Sequence, residues 1–221
     1  MKRKVLVAVL LSAVAASPAF CLSLGELDIN AGLLFIGATD PQAAPSPLVP
    51  MFGASLPIEI AAPFYLEPGL EFYGLDYMYT GSRAVPTEIE SNAGFFTIAA
   101  LVSLHGTLRF PIAEALEIGG SLGLDCLLRF PLELVNTSAA SVAGRDPALA
   151  YFFGSGRFFY PETRIFLKWQ ALDFLGLIFS LRAFYPVFHI WDGEGLPFLD
   201  QLMLSGTIGF AIRLGEAPAK P

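Results

Sequence analysis

Few residues in this sequence are spaced so that they could carry out chemistry. Ser103 and His105 are the one serine–histidine pair at close spacing, and a serine beside a base is the beginning of a hydrolytic site. Such a site also needs a third group that orients the histidine, and the sequence does not identify one. We therefore expect no catalytic residues and no enzyme activity.

Metal and disulfide chemistry have equally little support in the spacing. The two histidines, His105 and His189, form no ligand-spaced cluster with each other or with a cysteine, so no metal site and no cofactor are predicted. Cys126 has no cysteine partner if Cys21 belongs to an export signal. Alternatively, Cys21 is the lipidated first residue of a lipoprotein, although Phe20 precedes it where lipoprotein peptidases prefer a small residue.

The composition is unusually apolar for a protein in water. The chain of 221 residues is 54% hydrophobic, has a mean hydropathy of +0.60, and carries charge on 15% of its residues, against roughly 25% in soluble domains. Part of its apolar surface is therefore expected to face lipid. The net charge of −7 argues against nucleic-acid binding, because that binding depends on clustered lysine and arginine.

The N-terminus has the pattern of a secretory signal peptide. Three basic residues at positions 2–4 precede an apolar run from Val5 to about Ala16, and small residues follow. This run is too short for a transmembrane helix. We predict a signal peptide at residues 1–21 with cleavage between 19 and 23, an outer-membrane β-barrel at 22–214 and a short periplasmic tail at 215–221.

Beyond the signal, hydrophobicity alternates with a period of two, which is typical of strands with one apolar face. No uninterrupted apolar run reaches about 18 residues, so helical spans are excluded. The alternating segments are 27–35, 52–60, 66–80, 96–110, 116–130, 165–170, 175–185 and 202–214. The third of them loses phase near Gly74, which suggests a β-bulge.

The connectors between these segments are alternately long and short. The short ones fall at 61–64, 111–115 and 170–174, and the long ones fall at 37–51, 80–94, 131–160 and 187–199. Outer-membrane barrels have this order, because their periplasmic turns are tight and their external loops are long. The predicted fold is all-β: a closed antiparallel transmembrane β-barrel of about eight strands, with short periplasmic turns and long external loops.

The hairpin at 111–115 allows a prediction of register. If Phe110 pairs with Leu116, then Arg109 faces Glu117 and Asp125 faces Leu101 on the neighbouring strand. Opposite charges directly across a strand pair contribute roughly 0.2–1 kcal/mol.

The chain resembles the small eight-stranded outer-membrane proteins of the OmpA, OmpX and OmpW type in its signal peptide, its alternating segments and turn phrases such as RFPIAEALEIG and FYLEPGLEF. This resemblance implies an outer-membrane location and a monomer. It also implies lipid as a partner, with periplasmic chaperones and the assembly machinery as partners during biogenesis. Many such proteins end on an aromatic residue, whereas here Phe210 is internal and GEAPAKP follows. That departure fits another lineage, such as the spirochaetes.

In such a barrel the mixed face of each strand lines the lumen. The predicted lumen charge network consists of Glu59, Glu71, His105, Arg109, Glu117, Asp125, Arg129, Lys168, Arg182 and Arg213, and Glu67 and Arg164 share this face. An eight-stranded barrel is wide enough only for its own side chains or for one small ligand. The charges therefore form either a plug of paired groups or the lining of a narrow conduit.

Two functions follow from these alternatives. A plugged barrel has a structural role or interacts with other surfaces through its external loops, of which 131–160 is the longest. A conduit is a narrow channel or transporter for small or hydrophobic solutes, as in OmpW-like proteins. A lipid-modifying enzyme and a soluble lipocalin-like binder fit the sequence less well.

Overall fold

A computed structural model describes residues 25–40, 43, 48–87, 94–132 and 139–214, with the backbone alone at 139–141. The predicted signal peptide, Cys21 and the predicted tail at 215–221 lie outside these residues. The strands are β1 (Glu26–Ile36), β2 (Leu48–Ser55), β3 (Ile58–Ala61), β4 (Phe64–Tyr79), β5 (Ala84–Pro86), β6 (Phe95–Ala113), β7 (Leu116–Pro131), β8 (Phe159–Leu172), β9 (Leu175–Phe184) and β10 (Met203–Arg213). One α-helix, α1 (Ala139–Phe153), lies between β7 and β8. No helix within the described residues is long and apolar enough to cross a membrane.

The strands form one closed antiparallel sheet. Each main strand pairs with the next along the chain, and β1 pairs with β10 to complete the circle. β2 and β3 both pair with β4 and together make one strand of the barrel, while the short β5 pairs with β4 alone. The result is the predicted eight-stranded closed barrel.

The predicted alternation of faces is confirmed along the strands. In β6, Ser103, His105, Thr107 and Arg109 are buried in the lumen, and Val102, Leu104, Leu108 and Phe110 between them are exposed on the outside. The outward apolar side chains continue around the barrel at Leu33, Phe52, Leu122, Ile165, Leu181 and Ile208. A continuous apolar belt of this kind fits a surface that faces lipid.

The connectors also follow the predicted order. Two-residue turns join β3 to β4, β6 to β7 and β8 to β9, and long loops join the strands at the other end of the barrel. These loops span residues 37–47, 80–94, 132–158 and 185–202, and we number them one to four. All four meet at one end, which we call the long-loop end.

The predicted register of the 111–115 hairpin is wrong by two residues. β6 continues to Ala113, so Phe110 pairs with Ile118, Arg109 with Gly119 and Ser103 with Asp125. A shift of two residues keeps every side chain on its predicted face, which is why the alternation could not reveal it.

Two other local predictions need correction. The pairing of β4 with β6 runs without interruption past Gly74, so there is no bulge; the alternation fades because Tyr73, Leu75 and Tyr77 make the inward face apolar as well. The segment predicted at 165–170 begins earlier, at Phe159, and the loop before it contains α1. Both errors arise in stretches where aromatic side chains lie on the inward face as well as on the outward face, so that the apolar and polar alternation is lost.

Candidate functional site

The lumen contains three clusters of charged side chains, which follow one another from the short-turn end towards the middle of the barrel. At the short-turn end, Arg109 and Lys168 both donate hydrogen bonds to the carboxylate of Glu26. Arg109 Nη2 also lies 3.4 Å from Asp28 Oδ2, and its guanidinium stacks 4.9 Å from the centre of the Tyr65 ring. This mouth cluster balances two carboxylates with two cations.

The second cluster surrounds Glu67, whose side chain is fully buried. Both of its oxygens accept hydrogen bonds from Arg164, one of them at 2.8 Å. Ser55 Oγ and Thr107 Oγ1 donate to it from 2.7 and 3.0 Å. The carboxylate is therefore fully satisfied by groups from three other strands.

The third cluster, the His105 cluster, lies next to the second. Arg182 donates to Glu162 through Nε at 2.6 Å and Nη2 at 2.7 Å, and it also bonds to Glu71. His105 Nε2 lies 3.0 Å from Glu162 Oε2 and 3.5 Å from Asp125 Oδ1. Neither Asp125 oxygen nor His105 Nε2 makes a hydrogen bond of normal geometry within the described residues.

Glycines leave room for these large side chains. Gly123 pairs with His105 across β6 and β7, and a Cβ at position 123 would lie 1.7 Å from His105 Cδ2. Gly53 makes room for Glu71 in a similar way, because a Cβ at position 53 would lie 2.3 Å from Glu71 Cγ. The barrel is thus packed by placing a long side chain over a glycine on the adjacent strand.

The half of the lumen nearer the long loops is apolar. Its buried side chains form one hydrophobic cluster that includes Tyr73, Tyr77, Leu101, Leu127, Phe152 and Phe184. Phe152 belongs to α1 and meets Tyr77 edge to face, with ring centres 5.0 Å apart. The helix therefore seals the lumen from the long-loop end.

Arg129 is a charged residue buried in this apolar half. Its guanidinium lies 5.0 Å from the Phe152 ring centre and donates to Tyr160 Oη at 3.2 Å and to the Arg157 carbonyl at 3.3 Å. Aromatic faces and neutral oxygens therefore surround this cation.

The four long loops are tied to one another into a cap. Asp200 of loop four accepts hydrogen bonds from the Thr39 amide and hydroxyl of loop one, both at 2.6 Å. Arg83 of loop two lies 3.0 Å from Asp40 of loop one. The chain of contacts thus connects loops two, one and four.

Loop three joins the cap through three further hydrogen bonds. Arg157 donates to Glu194 of loop four at 2.5 Å, and Tyr151 Oη donates to the same carboxylate at 3.1 Å. Trp191 Nε1 donates to the Ser155 carbonyl at 2.7 Å. Burial, together with the nearby Glu194 charge, raises the pKa of the Tyr151 phenol, so this donor keeps its proton at neutral pH.

The second histidine has a role inside this cap. His189 Nδ1 lies 2.8 Å from Asp192 Oδ2, and Nε2 lies 3.0 Å from the Asp200 carbonyl. Both ring nitrogens have hydrogen-bond partners, so His189 holds loop four in its folded form.

Among the residues that the structure describes, little open space remains in the lumen. A cavity of about 20 Å³ lies beside Asp28, Arg164 and Arg182, which is room for about one water molecule. A larger cavity of about 160 Å³ opens at the short-turn mouth, beside Arg109 and Lys168.

Most of the predicted network residues are buried in the lumen, and the other three lie at its short-turn mouth. Buried in the lumen are Glu71, His105, Arg109, Asp125, Arg129, Lys168 and Arg182. Glu59 and Arg213 are exposed and Glu117 is half-buried, because all three sit at strand ends around the short-turn mouth. There they line the mouth cavity together with Arg109 and Lys168, and Glu117 Oε2 lies 3.9 Å from Lys168 Nζ.

The prediction of network residues omitted Glu26, Asp28 and Glu162. Glu26 and Asp28 alternate with apolar neighbours in β1, so the period of two could have identified both as residues that face the lumen. Glu162 follows an aromatic stretch and Pro161, which hid the start of β8.

Comparisons with known proteins support the fold, but they identify no sequence family for this chain. No family model matches the sequence, and no curated protein matches it. Among solved structures, Neisserial surface protein A superposes with a TM-score of 0.53 at 8% identity, over 87% of this chain and 98% of that one.

Two further structures align at lower similarity. The attachment invasion locus protein Ail of Yersinia pestis, solved with the heparin analogue sucrose octasulfate, has a TM-score of 0.47 at 10% identity, over 86% of this chain and 97% of that one. The N-terminal β-barrel domain of Pseudomonas aeruginosa OprF has a TM-score of 0.45 at 11% identity, over 86% and 98%.

The barrel closure, the apolar belt and the alternation of short turns with long loops agree with this structural similarity. The chain therefore has the fold of the small eight-stranded outer-membrane β-barrels.

Proposed function

We propose that this protein is a non-conducting barrel that acts at the outer surface of the outer membrane through its cap. The observation that carries the proposal is the cap itself. Buried charged and hydrogen-bonded groups tie the four loops together, as in the contact of Arg157 and Tyr151 with Glu194. A folded structure at the loop end presents a defined surface, and loops on a rigid scaffold are where binding specificity is usually located.

The cap also exposes large apolar side chains. Ile190, Trp191, Phe198 and Leu199 of loop four are between 44 and 71% exposed, although the loop that carries them is held by His189 and Asp200. Aromatic residues are enriched where proteins contact partners, and exposed apolar groups on a folded loop support a role in contact with other surfaces.

The filled lumen argues against the second candidate, a channel for small or hydrophobic solutes. The charged half is paired and the apolar half is sealed by Phe152 and Phe184. The mouth cavity at Arg109 and Lys168 does not favour passage through the barrel, because the Glu67 cluster fills the lumen behind it.

Adhesion of whole cells tests the proposal. Cells that display the wild-type barrel should aggregate with one another and adhere to immobilised extracellular-matrix protein more than cells without it. Replacing Ile190, Trp191, Phe198 and Leu199 by serine should abolish most of this gain.

The matched control replaces Ile112 and Phe174 by serine, since both are exposed at the short-turn end. This control should adhere like the wild type at equal amounts of folded protein. Equal adhesion of the cap variant and the wild type would contradict a role for this surface.

Conductance separates the two candidate functions. Purified protein in a planar lipid bilayer should give no discrete current steps, because paired charges fill one half of the described lumen and apolar side chains fill the other. Reproducible steps would favour the narrow channel instead.

A further inference from the structure

We infer that the His105 cluster is a zinc-type site for a divalent transition-metal ion, formed by His105, Asp125 and Glu162. One ligand atom from each of these residues lies within 4.8 Å of the others. Zn²⁺ binds imidazole nitrogen and carboxylate oxygen at about 2.0–2.2 Å, so tetrahedral ligands are about 3.4 Å apart. The distances from His105 Nε2 to the two carboxylates, 3.0 and 3.5 Å, match this spacing.

The hydrogen bonding of the cluster supports coordination. The side chain of Asp125 is fully buried, yet neither of its oxygens has a hydrogen-bond partner within the described residues. His105 Nε2 lies close to two carboxylate oxygens but is aligned with neither as a donor. Buried polar atoms without partners are rare and call for an explanation, and a shared cation satisfies all of them at once.

The charges of the cluster are also compatible with a bound cation. Glu71, Asp125 and Glu162 carry three negative charges, and Arg182 is the one permanent positive charge that contacts this group in the described lumen. Three carboxylates against one guanidinium leave room for further positive charge, and a divalent ion bound to a neutral imidazole would supply it.

The surroundings of the ligands match those of known metal sites. Glu162 is oriented by two hydrogen bonds from Arg182, as ligating carboxylates usually are by outer partners. The three side chains offer one donor atom each. Nitrogen and oxygen donors without thiolate suit Zn²⁺ or Mn²⁺, and a compact set of three protein donors favours Zn²⁺ over Ca²⁺, which takes six to eight oxygens.

The ligands come from three consecutive strands, β6, β7 and β8, so a bound ion would tie these strands together. Because apolar side chains seal one end of the lumen and ion pairs fill the other, the ion would enter while the barrel closes. Metal bound only to the folded state adds to its stability.

Metal content after refolding tests the inference. The mature chain is refolded in detergent with Zn²⁺, passed through a desalting column with a weak chelator, and measured by elemental analysis. Wild-type protein should retain about one zinc ion per chain, while Asp125→Asn and His105→Gln should retain less than about a tenth of that amount. Asp28→Asn, a buried lumen carboxylate outside the cluster, is the matched control and should retain zinc as the wild type does.

Two further readouts keep the test decisive. Each variant is scored only in its folded form, which resists SDS at room temperature. The zinc absorption-edge spectrum should show nitrogen and oxygen neighbours without a sulfur shell. Wild-type protein that retains no more zinc than Asp125→Asn, or a sulfur shell pointing to Cys126, would overturn the inference; in the first case a proton on His105 holds the two carboxylates together.

Discussion

At the scale of single residues, the barrel is held by buried ion pairs whose partners are far apart in sequence. Glu67 and Arg164 are separated by 97 positions and Arg109 and Glu26 by 83. Removing one member of a buried pair leaves the other charge without compensation, which typically costs about 3–5 kcal/mol. The clusters should therefore dominate the effects of lumen substitutions on stability.

The Glu67 cluster allows this expectation to be measured. Glu67→Gln leaves Arg164 buried without its counter-charge and should lower the free energy of unfolding by about 3–5 kcal/mol. Ser55→Ala removes one neutral donor to the same carboxylate and should cost about 1 kcal/mol. Urea unfolding in detergent micelles, followed by tryptophan fluorescence, compares the two. Equal costs would mean that the ion pair contributes no more than the hydroxyl.

Glycine positions give a second residue-scale prediction. Gly123→Ala places a methyl group against the His105 ring and should destabilise the barrel by about 1–3 kcal/mol through overpacking. Gly106→Ala, on the outward face, meets its nearest neighbour at an ordinary 3.9 Å and should change stability little. The same unfolding assay decides, and a Gly123→Ala protein as stable as Gly106→Ala would show that the lumen can relax around His105.

At the scale of elements, the alternating pattern predicts which side chains face the lumen but not which ones meet across it. A period of two is unchanged by a shift of two residues, so the wrong pairing of Phe110 with Leu116 left every face correct. The contact of Arg109 with Glu26 depends on closure of the whole sheet, and no local pattern encodes it. Glu162 was missed for a different reason, because Tyr160 turns an aromatic ring inward where the pattern expects a polar group.

The cap is the part of the fold that the sequence pattern predicts least, and proteolysis tests it directly. Glu194→Ala removes the carboxylate that buries Arg157 and should open loop three. Proteolysis of an opened segment follows its equilibrium population, and a loss of about 1.4 kcal/mol is a factor of ten. Trypsin cleavage after Arg157, measured by mass spectrometry, should therefore be about tenfold faster than in the wild type.

Asp146→Ala is the matched control for this cleavage. Asp146 lies 3.4 Å from Arg145 on the exposed side of α1, and surface pairs contribute little. Its removal should leave cleavage after Arg157 at the wild-type rate. If both variants are cut equally fast, or neither is cut faster than wild type, the Glu194 contact does not hold the cap closed.

At the scale of the whole molecule, the two faces of the one sheet have different surroundings. The outward faces carry apolar side chains such as Leu122 and Leu181, which are 70 and 62% exposed outside a bilayer. The inward faces carry paired charges in one half and aromatic packing in the other. Only lipid makes this arrangement stable, because an apolar belt in water would drive association and a closed sheet leaves no backbone edge unpaired in lipid.

The most direct test of this account is the mobility of the envelope-extracted protein in SDS gels, unheated against boiled, with fractionation of the cell envelope. A closed membrane barrel resists SDS until it is heated. The protein should therefore appear in the outer-membrane fraction and change its mobility on boiling. Release into the soluble fraction with no change in mobility would contradict a lipid-facing barrel.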